Sequence, residues 1–229
     1  MAPSRSELEA HYEVRREAAW VAFGSSLLLT LLALISRHEG WELVGFRWWI
    51  WLVLAVPGLL LCLDLWIGAR GVGLAARRAP AMALLTVIVV GNLVGLGLLI
   101  TALITTSSKD IGGGQLLLTA AVIWAANVIA FGVWYWDVDD GGPFERSHKE
   151  RVTPDFQFPQ DENPQVARQP WRPLVWDYLY VSLMAASAFS PTDAMPLTLK
   201  AKLLMGIEST VSLVIIVLVT ARAVNVLGT

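Results

Sequence analysis

Long uninterrupted apolar runs, not alternation, organise this chain. Residues 20–36 (WVAFGSSLLLTLLALIS) and 48–68 (WWIWLVLAVPGLLLCLDLWIG) come first, followed by 80–105 with no charge in 26 residues and 115–136 with none in 22. A last run, 203–227, carries only Glu208 and Arg222. A hydrocarbon layer about 30 Å thick takes roughly 20 apolar residues in a helix, because lipid offers no partner to backbone N–H and C=O. The pattern therefore predicts an all-α, polytopic membrane protein with five transmembrane helices. A sixth segment, 174–190 (LVWDYLYVSLMAASAFS), is shorter and has Asp177 near its start. It either spans or dips in and returns as a re-entrant helix.

Polar stretches divide the chain into four parts. Residues 1–19 form a charged segment whose SELEAHYEVRRE suits an amphipathic helix and lacks the early apolar core of a cleavable signal. Residues 20–136 hold four transmembrane helices, 137–172 a polar loop rich in Pro and Gly, and 173–229 a helix, a Ser-Pro-Thr-Asp turn and the final helix. Trp48, Trp49, Trp51 and Trp66 flank the second run, Trp134, Tyr135 and Trp136 close the fourth, and Trp171, Trp176, Tyr178 and Tyr180 surround the start of the sixth. Such rings favour the headgroup region. The loop is too short and polar for a core of its own and reads first as a solvated connector, although Pro154, Phe156, Phe158 and Pro159 suggest a course pinned by aromatic anchors.

Composition narrows the function classes. A chain 55% hydrophobic and 16% charged is not disordered. The lone Cys62 excludes a disulfide framework, and three scattered histidines make a metal centre improbable; no metal and no cofactor is expected. A net charge of −2 offers nothing to nucleic acid. Phosphate-cradling, zinc-protease and nucleophile-elbow motifs are missing, so the chain does not read as an enzyme. Asp137, Asp139 and Asp140 cluster at the mouth of the fourth run; Asp139 and Asp140, followed by Gly141-Gly142-Pro143, could offer oxygen ligands to a hard cation, but adjacent carboxylates before such a turn more often mark a solvated helix stop.

The C-terminal quarter carries the most pattern. An apolar helix with small residues in its second half leads to Ser190, Pro191, Thr192 and Asp193, and Pro196 opens the final helix. Half-helices ending in polar turns are how channels and transporters expose backbone dipoles to ions. This layout resembles the pore module of the potassium channel superfamily. Ser182 falls on the usual pore-helix Ser, Ser187 and Ala188 on the pair of Thr, and Phe189, Ser190, Pro191 and Thr192 on the filter. Asp193 falls on the filter Asp, Pro196 on the following Pro and Glu208 on an inner-helix Glu. The filter glycines are replaced, and Pro191 has a fixed φ, so the resemblance implies a channel-like fold without a potassium-type filter. It also implies a homo-oligomer, four copies around one axis. The chain is similar, too, to small bacterial membrane proteins of the DUF1345 group, a likeness that implies no activity.

Charge bias gives a separate reading of topology, since short cytoplasmic loops collect Lys and Arg. Six spans with both termini inside place 12 of the 17 Lys and Arg in the cytoplasm, whereas five spans with an external re-entrant loop place only Arg37, Arg47, Lys109 and Arg222 there. The bias favours six spans. Among intramembrane acids, Glu208 must face protein, water or a partner, and Asp64 lies three residues from the end of its span. Asn92 and Asn127 suit interhelical hydrogen bonds, and Gly91, Gly95 and Gly97 form a small-residue face, the first two in G-x-x-x-G spacing. The expected setting is the plasma membrane, with the bilayer and further copies of the chain as partners. The first functional expectation is passive conduction of a small ion, with Ser187 and Phe189 to Asp193 lining the path. A proton-linked solute carrier using Glu208 and Asp64, or a structural, partner-binding membrane protein, are the alternatives.

Overall fold

The computed structural model describes residues 5–42, 46–68, 78–105, 113–142, 146, 154–163, 165, 171–187 and 194–227. The described chain is nearly all helix: α1 (Arg5–His38), α2 (Trp49–Gly68), α3 (Arg78–Thr105), α4 (Gly113–Val138), α5 (Val175–Ser187) and α6 (Leu199–Leu227). A 3-10 turn (Asp139–Gly141), a single helical turn (Pro159–Glu162) and two short strands, β1 (Phe156–Gln157) and β2 (Met195–Pro196), complete it. Each of the five long apolar runs lies in a helix. Four are long and apolar enough to cross a membrane: Ala18–His38, Met82–Thr101, Gly113–Gly141 and Leu199–Ala221. Trp49–Asp64 is apolar but shorter. Leu34, Val53, Leu63, Val90, Leu203 and Val217 point outward from these helices, the apolar exterior of a multi-pass membrane protein.

α4 is the hub. It packs on α1, α3, α5 and α6, and 67% of its span is buried inside the chain against 17% for α6. Neighbouring spans run antiparallel. Ser26 of α1 donates to the Ala55 carbonyl of α2 at 3.0 Å, and Gln115 at the start of α4 reaches the Glu42 carbonyl after α1 at 3.0 Å. The interior falls into two layers. One, at the C-terminal end of α4, gathers Ala18, Leu61, Leu85, Tyr135, Trp136, Phe156 and Tyr178. The other, toward the N-terminal end of α4, gathers Leu32, Trp51, Leu99, Ala120, Val211 and Ile215.

α5 belongs to the first layer only, through Val175, Tyr178 and Val181. It runs antiparallel to α4: Tyr178 meets Asp139, Ser182 donates to the Val128 carbonyl at 2.7 Å, and the Ala186 carbonyl accepts from Trp124 Nε1 at 3.4 Å. Its last turn thus lies beside the middle of α4. The chain then resumes at the end where α5 began, because β2 pairs antiparallel with β1, Phe156 opposite Pro196 and Gln157 opposite Met195. Lys200 in the first turn of α6 donates to the Val138 carbonyl at 3.3 Å. The starts of α5 and α6 and the end of α4 therefore share one end of the molecule.

Two expectations are corrected here. Tyr135 and Trp136 do not form an interfacial belt; they are 0% and 1% exposed, packed inside the first layer. The loop is not a solvated connector over 154–163, where Asp155, Phe156 and Phe158 are buried. In both cases protein neighbours compete with the headgroup region for an aromatic ring, and shape complementarity decides. The Gly91/Gly95 face is used within the chain: a Cβ at Gly91 would lie 3.2 Å from Leu54, and one at Gly95 3.5 Å from Ile123.

Gly132 lets α4 and α5 touch. A Cβ there would meet Leu179 at 2.9 Å from Cδ2 and 3.0 Å from Cα, the second of which is backbone and cannot swing away. Gly132→Ala is therefore expected to destabilise the protein by about 1–3 kcal/mol, an overpacking cost. Gly97→Ala, with nothing within 4 Å of the added atom, should not destabilise the protein and, through the better helix propensity of Ala, raises stability by up to about 1 kcal/mol. Thermal unfolding in detergent checks both.

Candidate functional site

Position along α4 assembles the site. Asn127, Phe131, Tyr135 and Asp139 recur every four residues, so they line one helical face. Tyr178, Ser182 and Ala186 repeat the spacing on α5, and Glu208 and Ser212 on α6. The three stripes face one another.

Glu208 is 0% exposed. A buried carboxylate needs hydrogen-bond donors, since losing water without compensation costs several kcal/mol. Tyr135 supplies one from α4 through its hydroxyl, and the Ser182 hydroxyl of α5 lies against the other carboxylate oxygen, its single proton shared between Glu208 and the Val128 carbonyl. One turn later, Asn127 Nδ2 donates to Ser212 Oγ at 3.5 Å, and Ser209 Oγ donates to the Ala185 carbonyl at 3.1 Å. Glu208 therefore joins all three C-terminal helices at one point. Asp64 stands apart, on α2, which packs on α1 and α3 and not appreciably on α6.

The second buried acid, Asp139, is 0% exposed at the end of α4. Its Oδ1 accepts the amides of Asp155 at 2.7 Å and Phe156 at 3.0 Å, while its Oδ2 accepts from the Tyr178 hydroxyl. Arg146, 6% exposed, donates to the Asp139 carbonyl at 2.6 Å, brings Nη1 within 4.0 Å of Oδ2 and lies over the Tyr178 ring at 5.4 Å. This acid is not a solvated helix stop. Its carboxylate is occupied by protein donors, and among the described residues no metal-holding cluster of His, Cys, Asp or Glu occurs. Asp140 adopts the left-handed region (φ 49°), and Gly141 and Gly142 follow at φ 81° and 93°, conformations that bend the chain away from α4.

Asp155 continues the junction. Thr198 Oγ1 donates to its Oδ1 at 2.5 Å, Lys200 Nζ lies 2.9 Å from Oδ2, and the Asp140 amide donates at 3.1 Å. Its carbonyl accepts the Leu197 amide at 2.8 Å. Burial pushes the Asp155 carboxyl up, but the hydrogen bonds from Thr198 and Lys200 and the Lys200 charge outweigh it, so the group is held below the usual carboxylate range. Around these acids runs a continuous set of rings: Tyr135 on Phe156 at 5.0 Å, Phe156 on Tyr178 at 6.1 Å, Tyr178 on Phe158 at 5.3 Å and Phe158 on Trp171 at 5.5 Å.

Of the sequence-expected site residues, Ser187 is described, its hydroxyl 3.3 Å from the Met184 carbonyl at the end of α5. Phe189, Ser190, Pro191, Thr192 and Asp193 lie outside the described residues. Sequence reasoning did not single out Tyr135 as the partner of Glu208, nor the Tyr178–Asp139–Asp155 set. The four-residue recurrence of polar positions along α4 and α5 was the available signal.

No family model, no curated protein and no solved structure matches this chain. Its class rests on the fold itself: an all-α, multi-pass membrane protein whose helices are suited to a lipid bilayer.

The sign of the Asp155 shift fixes a pH dependence. A carboxyl held low in the folded state contributes stability above its unfolded value and loses it as pH falls through the lowered folded value. Acidification through and below the ordinary carboxylate range should therefore lower the unfolding temperature of the wild type. Asp155→Asn should start lower at neutral pH and show a flatter acid limb.

Proposed function

We propose that this is a channel-like integral membrane protein in which α1, α2, α3, α4 and α6 span the bilayer and α5 is a re-entrant helix. The observation that carries the reading is the course of the chain around α5. α5 ends beside the middle of α4, and β2 and α6 begin again at the end it left. Between them lie the six residues 188–193. Non-helical backbone at membrane depth is tolerated only where protein encloses it or where it lines a water-filled cavity. A half-depth helix followed by a short polar return is the arrangement that gives ions access to backbone carbonyls.

The charge bias fits this course once the re-entrant mouth is assigned to the cytoplasm. The N-terminus, the α2–α3 connection, the 137–172 loop and the start of α6 then share the inner side, which leaves Arg37, Arg47, Lys109 and Arg222 outside. The opposition between charge and re-entrance arises only for an external mouth. α6, the least buried of the four full-length spans, offers Leu203, Ile207, Leu213 and Val217 to lipid or to further copies of the chain. In the proposed oligomer α6 and the end of α5 at Ser187 surround a polar pathway, and Glu208 positions α6 against α5 without touching the permeant ion.

Topology and flux test separate parts of this reading. On a Cys62→Ser background, single cysteines replacing the exposed Gln165 and Met195 should both label from the cytoplasmic side. Labelling from opposite faces would sink the re-entrant helix. Purified protein in tight liposomes should raise monovalent ion flux, and a leak identical to that of empty vesicles at both polarities counts against conduction.

A further inference from the structure

The oxygen contacts around Glu208 outnumber the protons that its neighbours supply. Three contacts meet there: the Tyr135 hydroxyl against Oε2, the Ser182 hydroxyl against Oε1, and the Ser182 hydroxyl again against the Val128 carbonyl at 2.7 Å. A hydrogen bond between two oxygens needs a proton between them, and each hydroxyl owns one. Tyr135 spends its proton on Oε2. Ser182 has one proton for two oxygens, and because a backbone carbonyl has none to give, the Val128 contact must take it. A proton divided between two acceptors lengthens both contacts, whereas the Val128 distance is that of a full O–H···O bond. The contact between Ser182 Oγ and Oε1 then has no proton unless the carboxyl brings its own.

An ionised Glu208 would also be a buried charge without a counter-ion. It is 0% exposed, and among the described residues no Lys, Arg or His pairs with it. Such a charge costs several kcal/mol, which two hydroxyls, one of them already committed, do not offset. One added proton removes both difficulties. We infer that Glu208 is a proton-binding site, occupied in the folded protein: Oε1–H donates to Ser182 Oγ, Ser182 donates to the Val128 carbonyl, and Oε2 accepts from Tyr135. The donors then run one way, from α4 through α6 to α5 and back to α4. The bound proton is itself the tie between α6 and α5, and Glu208 clasps both neighbours as a neutral group. The assignment rests on the buried site alone and holds whether or not the protein conducts.

Infrared spectroscopy of the full chain in an ester-free detergent at neutral pH tests it, because a protonated carboxyl has a carbonyl stretch well above the carboxylate and amide bands. The wild type should show that band. Glu208→Gln should lose it and keep the fold, since an amide accepts from Tyr135 and donates to Ser182 in the same directions. Tyr135→Phe should keep the band and move it to higher frequency, as the Oε2 carbonyl loses its hydrogen bond; this variant carries the assignment if Glu208→Gln fails to fold. A wild-type spectrum without the band, or a band that the folded variants neither lose nor move, overturns the proposal.

Discussion

The Asp139 carboxylate is the junction on which the C-terminal half depends. Shut away from water at the end of α4, it must find donors in the protein, and it takes them from two places far apart in sequence: the amides at the start of β1 and the Tyr178 hydroxyl. Accepting the Asp155 and Phe156 amides pins β1 to the end of α4. β1 in turn supplies the edge to which β2 pairs, and Asp155 receives Thr198 and Lys200 at the start of α6. The vertical position of α6 is thus set by a side chain on α4, through a strand only two residues long.

Glu208 acts on the same helices from inside the bundle. Tyr135 and Asp139 are one turn apart on α4, and Tyr178 and Ser182 one turn apart on α5, so each acid is held by one hydroxyl from α5. Two parallel ties of this kind resist both tilting and sliding of α5, and the Gly132–Leu179 contact removes the remaining slack. A helix of only 13 residues would be marginal alone. Here it is held on one face by the ties and at its entrance by the Phe156, Phe158 and Trp171 rings.

The spanning helices were legible in the chain because the requirement they meet is one-dimensional: a run of apolar residues long enough for the hydrocarbon layer. The same property hides what lies beside a helix, since lipid and a neighbouring helix are equally apolar. Tyr135 and Trp136 therefore read as headgroup anchors when they are core residues, and the depth of α5 stayed open between spanning and returning. Asp139 and Asp155 read as loop acids because their partners, two amides and a threonine, carry no signature until the chain folds. Glu208 stood out as an acid in an apolar run, but the hydroxyls that hold it come from residues 73 and 26 positions away. Phe156 and Phe158 were visible as anchors without any indication of what they anchor to.

The order in which the chain is made bears on this junction. α1 and α2, the most extensively packed pair, are adjacent in sequence and can settle together as they emerge. α4 emerges after α3, with Tyr135 and Asp139 both lacking their eventual partners. Asp139 waits about 40 residues for Tyr178, and Tyr135 waits 73 for Glu208. During synthesis the end of α4 therefore acquires its partners in two steps, Asp139 once Tyr178 has emerged and Tyr135 only once α6 has followed. A chain that stops before Glu208 therefore keeps the Asp139 junction and loses the Tyr135 and Ser182 ties, so α4 and α5 are joined at their outer end and left open toward the middle of the bundle.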